Sequence, residues 1–399
     1  MDAVAIVEAL AEPAGRADPY PLYARARQLG PVARVWPDVV LVSGYDEVNR
    51  VLRDPAFGVV DGDVRPGAAE PASVRVLGSS VLRTNPPRHA AMRAPIASVF
   101  TPRRVRELEP AITATVDLLL DEIAAEFARD GWTDFMDRFA FRLPVNVICA
   151  LLGVPEQDRY RFRGLVGELT ALLEFMPGDL TAADLAAAEL EDYFRRLAAE
   201  RRNRPGADLV TALVGLTGTE PGLDEGELLG NLVLLLVAGF ETTTNLLGNG
   251  LALLFRHPHV AAALRAGALP VADFVEEVLR FDAPVQMTSR LARSAGLSVG
   301  GFELPRGGEA LLLIAAANRD PARHPDPDRF DPWRAEIAPL TFGAGPHYCL
   351  GAMLARREAA LAFDRLLRRF PGLAPAPGRE AVRNSRLLLR GYTDLPVRC

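Results

Sequence analysis

Lysine is absent: all 45 lysine-or-arginine positions of the 399-residue chain are arginine. With alanine abundant, that bias points to a GC-rich coding sequence rather than to a mechanism. Cysteine is almost as scarce, and Cys149, Cys349 and Cys399 are too few for a disulfide framework; they suit a reducing compartment. Long apolar runs are missing too. The longest, Leu228–Ala238, contains Asn231 and is too short to span a bilayer. The first residues, Met-Asp-Ala-Val-Ala-Ile-Val-Glu, have neither the basic region nor the apolar core of a secretory signal. There is no excess of positive charge, the net being −6, which argues against nucleic acid as a partner. No internal repeat, low-complexity linker or charge block divides the chain. These absences predict a soluble, cytoplasmic protein of one domain, residues 1–399, with neither membrane nor nucleic acid among its partners.

What is present is concentrated in Phe342-Gly343-Ala344-Gly345-Pro346-His347-Tyr348-Cys349-Leu350-Gly351. One cysteine follows a Gly-rich loop and precedes Leu350–Arg368, whose alanine- and leucine-rich pattern reads as a helix. A thiolate there would feel a helix N-terminus and unpaired backbone N–H groups, both of which favour ionised sulfur. Gly343 and Gly345 remove side chains where a large flat ligand could approach the backbone. A cysteine presented this way can be the axial ligand of a haem iron; taken alone, it could equally be a small buried hydrophobe in a turn. The full string separates the two. It closely resembles the haem-binding loop of the cytochrome P450 family, F-G-x-G-x-H-x-C-x-G, matched at Phe342, Gly343, Gly345, His347, Cys349 and Gly351. The resemblance implies a mainly α fold with a smaller β-rich part, and haem b with Cys349 as the axial metal ligand. It also implies that Phe342, Gly343, Gly351 and His347 lie against the cofactor.

Taken in order, Asp18–Leu29 has helical periodicity and is closed by Gly30-Pro31. Val32–Val35 and Val39–Ser43 read as a β-hairpin around Trp36-Pro37-Asp38, and Tyr45–Arg53 as a short helix. Phe57–Ser80, rich in Gly, Pro, Ala and Asp, reads as a long functional loop. His89 and Arg93 then stand at i and i+4 on one helix face. Alone, such a pair is a solvated face; by the resemblance, H-x-x-x-R binds a haem propionate. Relatives often carry Asp where Asn85 stands, a change expected to affect the turn more than the chemistry. Helical patterns continue through Arg103–Asp130, Leu143–Leu152, Glu156–Leu173 and Ala182–Arg202. Glu174–Thr181 contains a Pro-Gly hinge that the resemblance makes a lid over the substrate entrance.

Asp224–Phe255 is the longest helical pattern and is apolar nearly all round, hence buried. Ala238-Gly239-Phe240-Glu241-Thr242-Thr243 interrupts it with a glycine, which costs roughly 1 kcal/mol against alanine, and with a threonine run. A buried glutamate adds a further cost unless it is paired or functional. Local rules broken together mark a working site, and threonine hydroxyls can bond back to the i−4 carbonyl and open the helix. The turn matches the family's A-G-x-[DE]-T-[TS]. That implies catalytic roles for Thr242, hydrogen-bonding to dioxygen, and for Glu241, feeding protons through water, with Ala238 against the cofactor. Glu277 and Arg280 could be a surface i,i+3 pair; they match the family's E-x-x-R, which with Arg334 implies a buried structural network. Pro284–Arg290 reads as an extended strand. By the resemblance Arg290 takes a propionate and Val285 to Met287 line the pocket. Leu297–Leu304 and Glu309–Ala315 read as further short strands, and Arg390–Val397 as a terminal hairpin whose tip enters the pocket. Phe175, Met176, Leu234, Val285, Met287 and Tyr392 make that pocket apolar or aromatic.

The propionates need cations, which His89, Arg93, Arg290 and His347 supply. Arg103, Arg104, Arg106, Arg356 and Arg357 could form a basic patch for an acidic ferredoxin, or merely a solvated surface. The resemblance implies a monooxygenase using O2 and NAD(P)H electrons from a separate ferredoxin and ferredoxin reductase. It would hydroxylate or epoxidise an apolar small molecule, a polyketide or other secondary-metabolite intermediate, free or tethered to a carrier protein, and would act as a monomer. Oxidative coupling or epoxidation would use the same residues. Peroxide users commonly lose the acid–alcohol pair that Glu241 and Thr242 retain. A non-catalytic docking or sensor module would be marked by loss of Cys349, Thr242 or the cations, none of which is lost.

Overall fold

The computed structural model describes residues 1–60, 70–174, 179–218 and 222–399. It is 58% helix and 11% strand. The contacts group the chain into two compact units, Met1–Gly58 with Leu108–Leu143 and Thr242–Cys399, and Val59–Glu107 with Pro144–Glu241. Five helices carry the candidate residues or the groups that hold them: α1 (Arg88–Ala97), α2 (Pro102–Asp130), α3 (Glu225–Arg256), α4 (Val271–Phe281) and α5 (Ala352–Arg369).

In the first unit a five-stranded sheet is built from β1 (Val32–Trp36), β2 (Val39–Val42), β3 (Phe57–Gly58), β4 (Thr288–Ala292) and β5 (Glu309–Leu312). Its order is β1-β2-β5-β4-β3, with β2 and β5 parallel and the other pairs antiparallel. Val40, Val42, Ala310 and Leu312 alternate onto its buried face and pack with Val48, Val51 and Leu52 of the helix Tyr45–Arg53, the period-2 and period-3.6 patterns meeting in one core. Helix α5 buries Ala359, Ala362, Phe363, Leu366 and Leu367 at helical spacing. Phe363 reaches Gly250 of α3, where a methyl would stand 2.4–3.3 Å from its ring, so glycine is what lets these helices approach.

In the second unit α3 begins with a reciprocal cap. The Glu227 amide donates to Asp224 Oδ1 (2.8 Å), and the Asp224 amide donates to Glu227 Oε2 (3.0 Å). Arg88, at the start of α1, forms an ion pair with the buried Glu227. Asn85 uses both ends of its amide, accepting from Val59 N (2.9 Å) and donating to the Val60 carbonyl (3.0 Å). A carboxylate could not make the second bond, which gives asparagine at this position a structural reason.

Several expectations change. Phe57–Ser80 is not one loop: it holds β3 and the helix Ala72–Gly78. Two helices, Ala3–Ala11 and Pro13–Ala17, precede the helix expected from Asp18, the first capped by Asp2 accepting from Ala5 N (2.9 Å). The strand expected over Pro284–Arg290 begins only at Thr288, and Ala315 belongs to a short helix, Ile314–Ala317, rather than to a strand. The helix after Cys349 starts at Ala352, not at Leu350. Arg390–Val397 is not a hairpin. Tyr392–Asp394 pairs with Val382–Arg383, whereas Pro396–Arg398 pairs with Thr133–Asp134 and Ala374–Pro375. Leu395 turns the chain between the two sheets, its amide donating to Asp134 Oδ1 (3.0 Å).

His324, 2% exposed, sits edge-on to Tyr45 with ring centroids 5.8 Å apart. Burial, and then the charges of Arg280, Arg323 and Arg334, pull its imidazole down to about 4. An unfolded chain titrates this group near 6.5, so between pH 6.5 and 4 the unfolded state binds more protons and stability falls as pH falls. By pH 4 the loss should be of order 3 kcal/mol. His324→Gln should lose correspondingly less, as read from urea melts at pH 7 and pH 4.5; equal losses in the two proteins would contradict this.

Candidate active site: the Cys349 loop and the bared turn of α3

The Cys349 loop is folded by its glycines. Gly343 and Gly345 have φ of +71° and +68°, which L side chains rarely adopt, and a methyl on Gly345 would stand 2.5 Å from the Leu52 carbonyl. The Cys349 amide donates to the Phe342 carbonyl (2.9 Å), so that N–H is satisfied within the loop rather than free for the sulfur. Cys349 itself is exposed and outside any disulfide. Next to it Gly351 has φ −83°, and nothing lies within 4 Å of the place a methyl would occupy. Arg356 lies over the Phe342 ring, 4.4 Å from its centroid, and donates to Tyr348 Oη (3.2 Å).

The loop rests on α4. Glu277 and Arg280 are both fully buried and paired through two bonds of 2.7 Å. Arg334 approaches Glu277 Oε1 at 3.5 Å, and the Asp331 amide donates to the same oxygen (2.7 Å). Arg280 donates onward to the carbonyls of Asn318 (3.0 Å), Pro327 (2.8 Å) and Arg329 (3.1 Å). The Asn318 side chain then accepts from Leu340 N (2.7 Å) and donates to Thr341 Oγ1 (2.9 Å), one residue before Phe342. A continuous hydrogen-bonded path therefore runs from Glu277 to the start of the cysteine loop.

Arg290, on β4, is 8% exposed and donates to the Ser289 carbonyl (2.7 Å). Among the described residues no carboxylate pairs with it, and burial alone pulls its guanidinium down to about 10. Val285 is half-buried and Met287 buried, on the segment leading into β4. His347 is half-buried in the short helical turn Gly345–His347.

Helix α3 is buried over residues 227–237 and again over 245–254. Between them Ala238 is exposed, and Gly239, Glu241 and Thr242 are half-buried. That turn opens an otherwise enclosed helix. Gly239 has a packing reason the sequence did not disclose: a methyl there would stand 2.5 Å from Ile148 Cγ1 of the helix Arg142–Leu152. His89 is buried (2% exposed) and Arg93 half-buried one turn later on α1; Leu234 is buried in α3. Of the candidates, His89, Arg93, Leu234, Ala238 and Glu241 belong to one unit, and Cys349, His347, Arg290, Val285, Met287 and Thr242 to the other.

Other candidates fall elsewhere. Phe175 and Met176, with the Pro-Gly hinge, lie outside the described residues. Tyr392 stands among charged groups: its ring lies 4.0 Å under the Arg383 guanidinium, and it lines a cavity with Asp282, Arg319 and Arg390. Four of the five arginines of the expected basic patch are engaged in ion pairs, two of them with the same carboxylate. Arg103 and Arg104 pair with Glu107, Arg356 with Glu276 and Arg357 with Glu109.

A haem asks of its protein a thiolate-capable donor, space beside it and buried positive charge for its propionates. Cys349 is exposed, the position of Gly351 is open, and Arg290 is a buried cation that no carboxylate among the described residues pairs with. This donor set fits the group. The family model for Cytochrome P450 matches residues 22–383. The chain is 41% identical over 390 residues to cytochrome P450 monooxygenase PikC of Streptomyces venezuelae, covering 96% of this chain and 91% of that protein. It is 36% identical over 396 residues to 6-deoxyerythronolide B hydroxylase of Saccharopolyspora erythraea, 96% of each chain being covered. Among solved structures, P450BioI in complex with a fatty-acyl-ligated acyl carrier protein superposes with a TM-score of 0.88 at 31% identity, over 96% of this chain and 99% of that one. The helix-dominated fold, the cysteine loop and these similarities together make the chain a member of the cytochrome P450 family, a monooxygenase.

Proposed function

We propose that Cys349 is the axial thiolate of a haem b and that the chain, working as one catalytic domain, hydroxylates or epoxidises an apolar small molecule. What most supports this is the bared turn of α3, where Ala238, Glu241 and Thr242 interrupt an otherwise buried helix. Arg290, with His89, Arg93 and His347, would take the propionates, and Phe342, Gly343, Gly351 and Ala238 would bound the ring. When bound, the group supplies the one-electron redox chemistry and the oxygen activation that amino acids lack. The net reaction takes R–H, O2, two electrons and two protons to R–OH and water, so the chain must deliver two protons where water is formed. Thr242 Oγ1 is the nearer donor in this scheme and the Glu241 carboxylate its resupply. Glu277, Arg280 and Arg334 hold the loop and take no part in proton movement.

Leu234, Val285 and Met287 give the substrate apolar contact. The hydroxylation of 6-deoxyerythronolide B by one relative and the acyl carrier protein bound by one structural neighbour support a polyketide-like substrate, free or carrier-tethered. Electrons would come from NAD(P)H through a ferredoxin reductase and a ferredoxin, delivered to a cytoplasmic monomer.

Thr242→Ala tests the proton role. With a macrolactone selected by its spin-state shift and surrogate redox partners, the variant should keep its haem spectrum while product per NADH falls several-fold and hydrogen peroxide rises in step. Unchanged coupling would remove Thr242 from proton delivery.

A further inference from the structure

The Thr242 face of α3 continues to Asn245 and Asn249, at i+3 and i+7; both meet the segment Arg390–Gly391, and Asn249 also meets Asp282, which leads into Val285–Met287. Asn249 is fully buried and uses its whole amide: Nδ2 donates to the carbonyls of Asp282 (3.0 Å) and Arg390 (3.1 Å), and Oδ1 accepts from Arg383 (2.9 Å). Asn245 lies against Gly391, where any methyl would overlap its Oδ1. At the centre is Asp282, 2% exposed. Its Oδ1 accepts from Tyr20 Oη (3.1 Å) and Arg390 Nε (3.1 Å), and its Oδ2 from Arg383 (2.7 Å), with Arg256 at 4.0 Å. Burial pushes this carboxyl up, but Arg383 and Arg390 outweigh it and hold it well below the usual carboxylate range.

The backbone around this centre is the pocket segment itself. Arg390 N donates to the Pro284 carbonyl (2.8 Å), Gln286 N to the Leu388 carbonyl (2.9 Å), and Val285 bridges Leu389. The segments 284–286 and 388–390, far apart in sequence, are thus laid side by side, and the groups that fasten them also fasten α3 through Asn249.

We propose that Asp282, acting through Arg383, Arg390 and Asn249, is a positioning residue that sets Val285–Met287 against the Thr242 face of α3 and so decides how bulky a substrate the site admits. The proposal rests on the haem reading above. The network borders a cavity of about 560 Å³, lined among others by Tyr20, Arg256, Arg319 and Arg383. Water can therefore reach Arg383, whose side chain is 20% exposed, once its anion is removed, which is why Asp282→Asn should still fold.

The test uses haem-loaded protein and two iron-binding probes, imidazole and the bulkier 4-phenylimidazole, followed by their spectral shifts. In Asp282→Asn the dissociation constant for imidazole should stay within about twofold of wild type while that for 4-phenylimidazole changes about tenfold. Asp282→Glu should restore part of the difference. Arg383→Gln, at the more exposed edge of the network, should show the same selective change and serves if Asp282→Asn is recovered without haem. Parallel shifts for both probes, or none in either variant, would overturn the positioning role. A wild-type protein that responds to neither probe would instead overturn the haem reading, and this proposal with it.

Discussion

Replacing Glu277 by alanine is expected to cost about 3–5 kcal/mol, the penalty for leaving a buried charge without its partner and a large part of what holds a domain folded. Arg280 is fully buried, and Glu277 is the carboxylate that pairs with it. Its remaining contacts are the carbonyls of Asn318, Pro327 and Arg329, which are dipoles rather than anions. Arg334 would lose the same counter-charge, and the two guanidiniums would face each other without a carboxylate between them. Because Asn318 carries the path on to Leu340 and Thr341, the damage should reach the cysteine loop, and the variant should purify with little haem. Glu277→Gln keeps the shape and some hydrogen bonds and should fall between alanine and wild type. Urea melts followed by circular dichroism measure the loss; a change below about 1 kcal/mol would show that the pair is dispensable.

The second large effect is chemical. Cys349→Ala should fold, because the loop is shaped by the Cys349 amide on Phe342 and by the approach of Gly345 to Leu52, neither of which uses the sulfur. It should nevertheless lose turnover by about 10³-fold or more, at least about 4 kcal/mol of barrier, since no other described side chain in the loop can push electron density as a thiolate does. Cys149 cannot substitute: it is buried, and burial pushes its thiol up to about 12. Product formation per haem measures this, and an alanine variant within tenfold of wild type would show that the sulfur is not the ligand.

The parts of this molecule that were legible in its sequence are those in which the information is local. The hairpin Val32–Val42, the helix Tyr45–Arg53 and the long α3 follow from spacing and turn chemistry, and the motifs around Cys349 were legible through their resemblance to a known family. Glu277 and Arg280 are three residues apart, so their pairing too could be read, though nothing local says that they are buried. What escaped depends on partners far away in the chain. Arg383 and Arg390 look like surface charges until Asp282 is brought to them, and Asn249 looks like a flaw in an apolar helix until its amide is seen holding three segments. Gly239 was legible as an anomaly but not as the seat of Ile148. The terminal strands were legible as strands, but alternation does not name a partner. Asp134 drew Leu395 away and divided the expected hairpin between two sheets.

The claim on which the account turns is that Cys349 holds a haem as a thiolate. The reduced carbon-monoxide difference spectrum of the purified, haem-loaded protein tests it most directly, recorded beside that of Cys349→Ala. A red-shifted thiolate–carbonyl band in the wild type, absent from the variant, is the predicted result. Absence of the band from freshly prepared wild type, or its survival in the alanine variant, would contradict the assignment of Cys349.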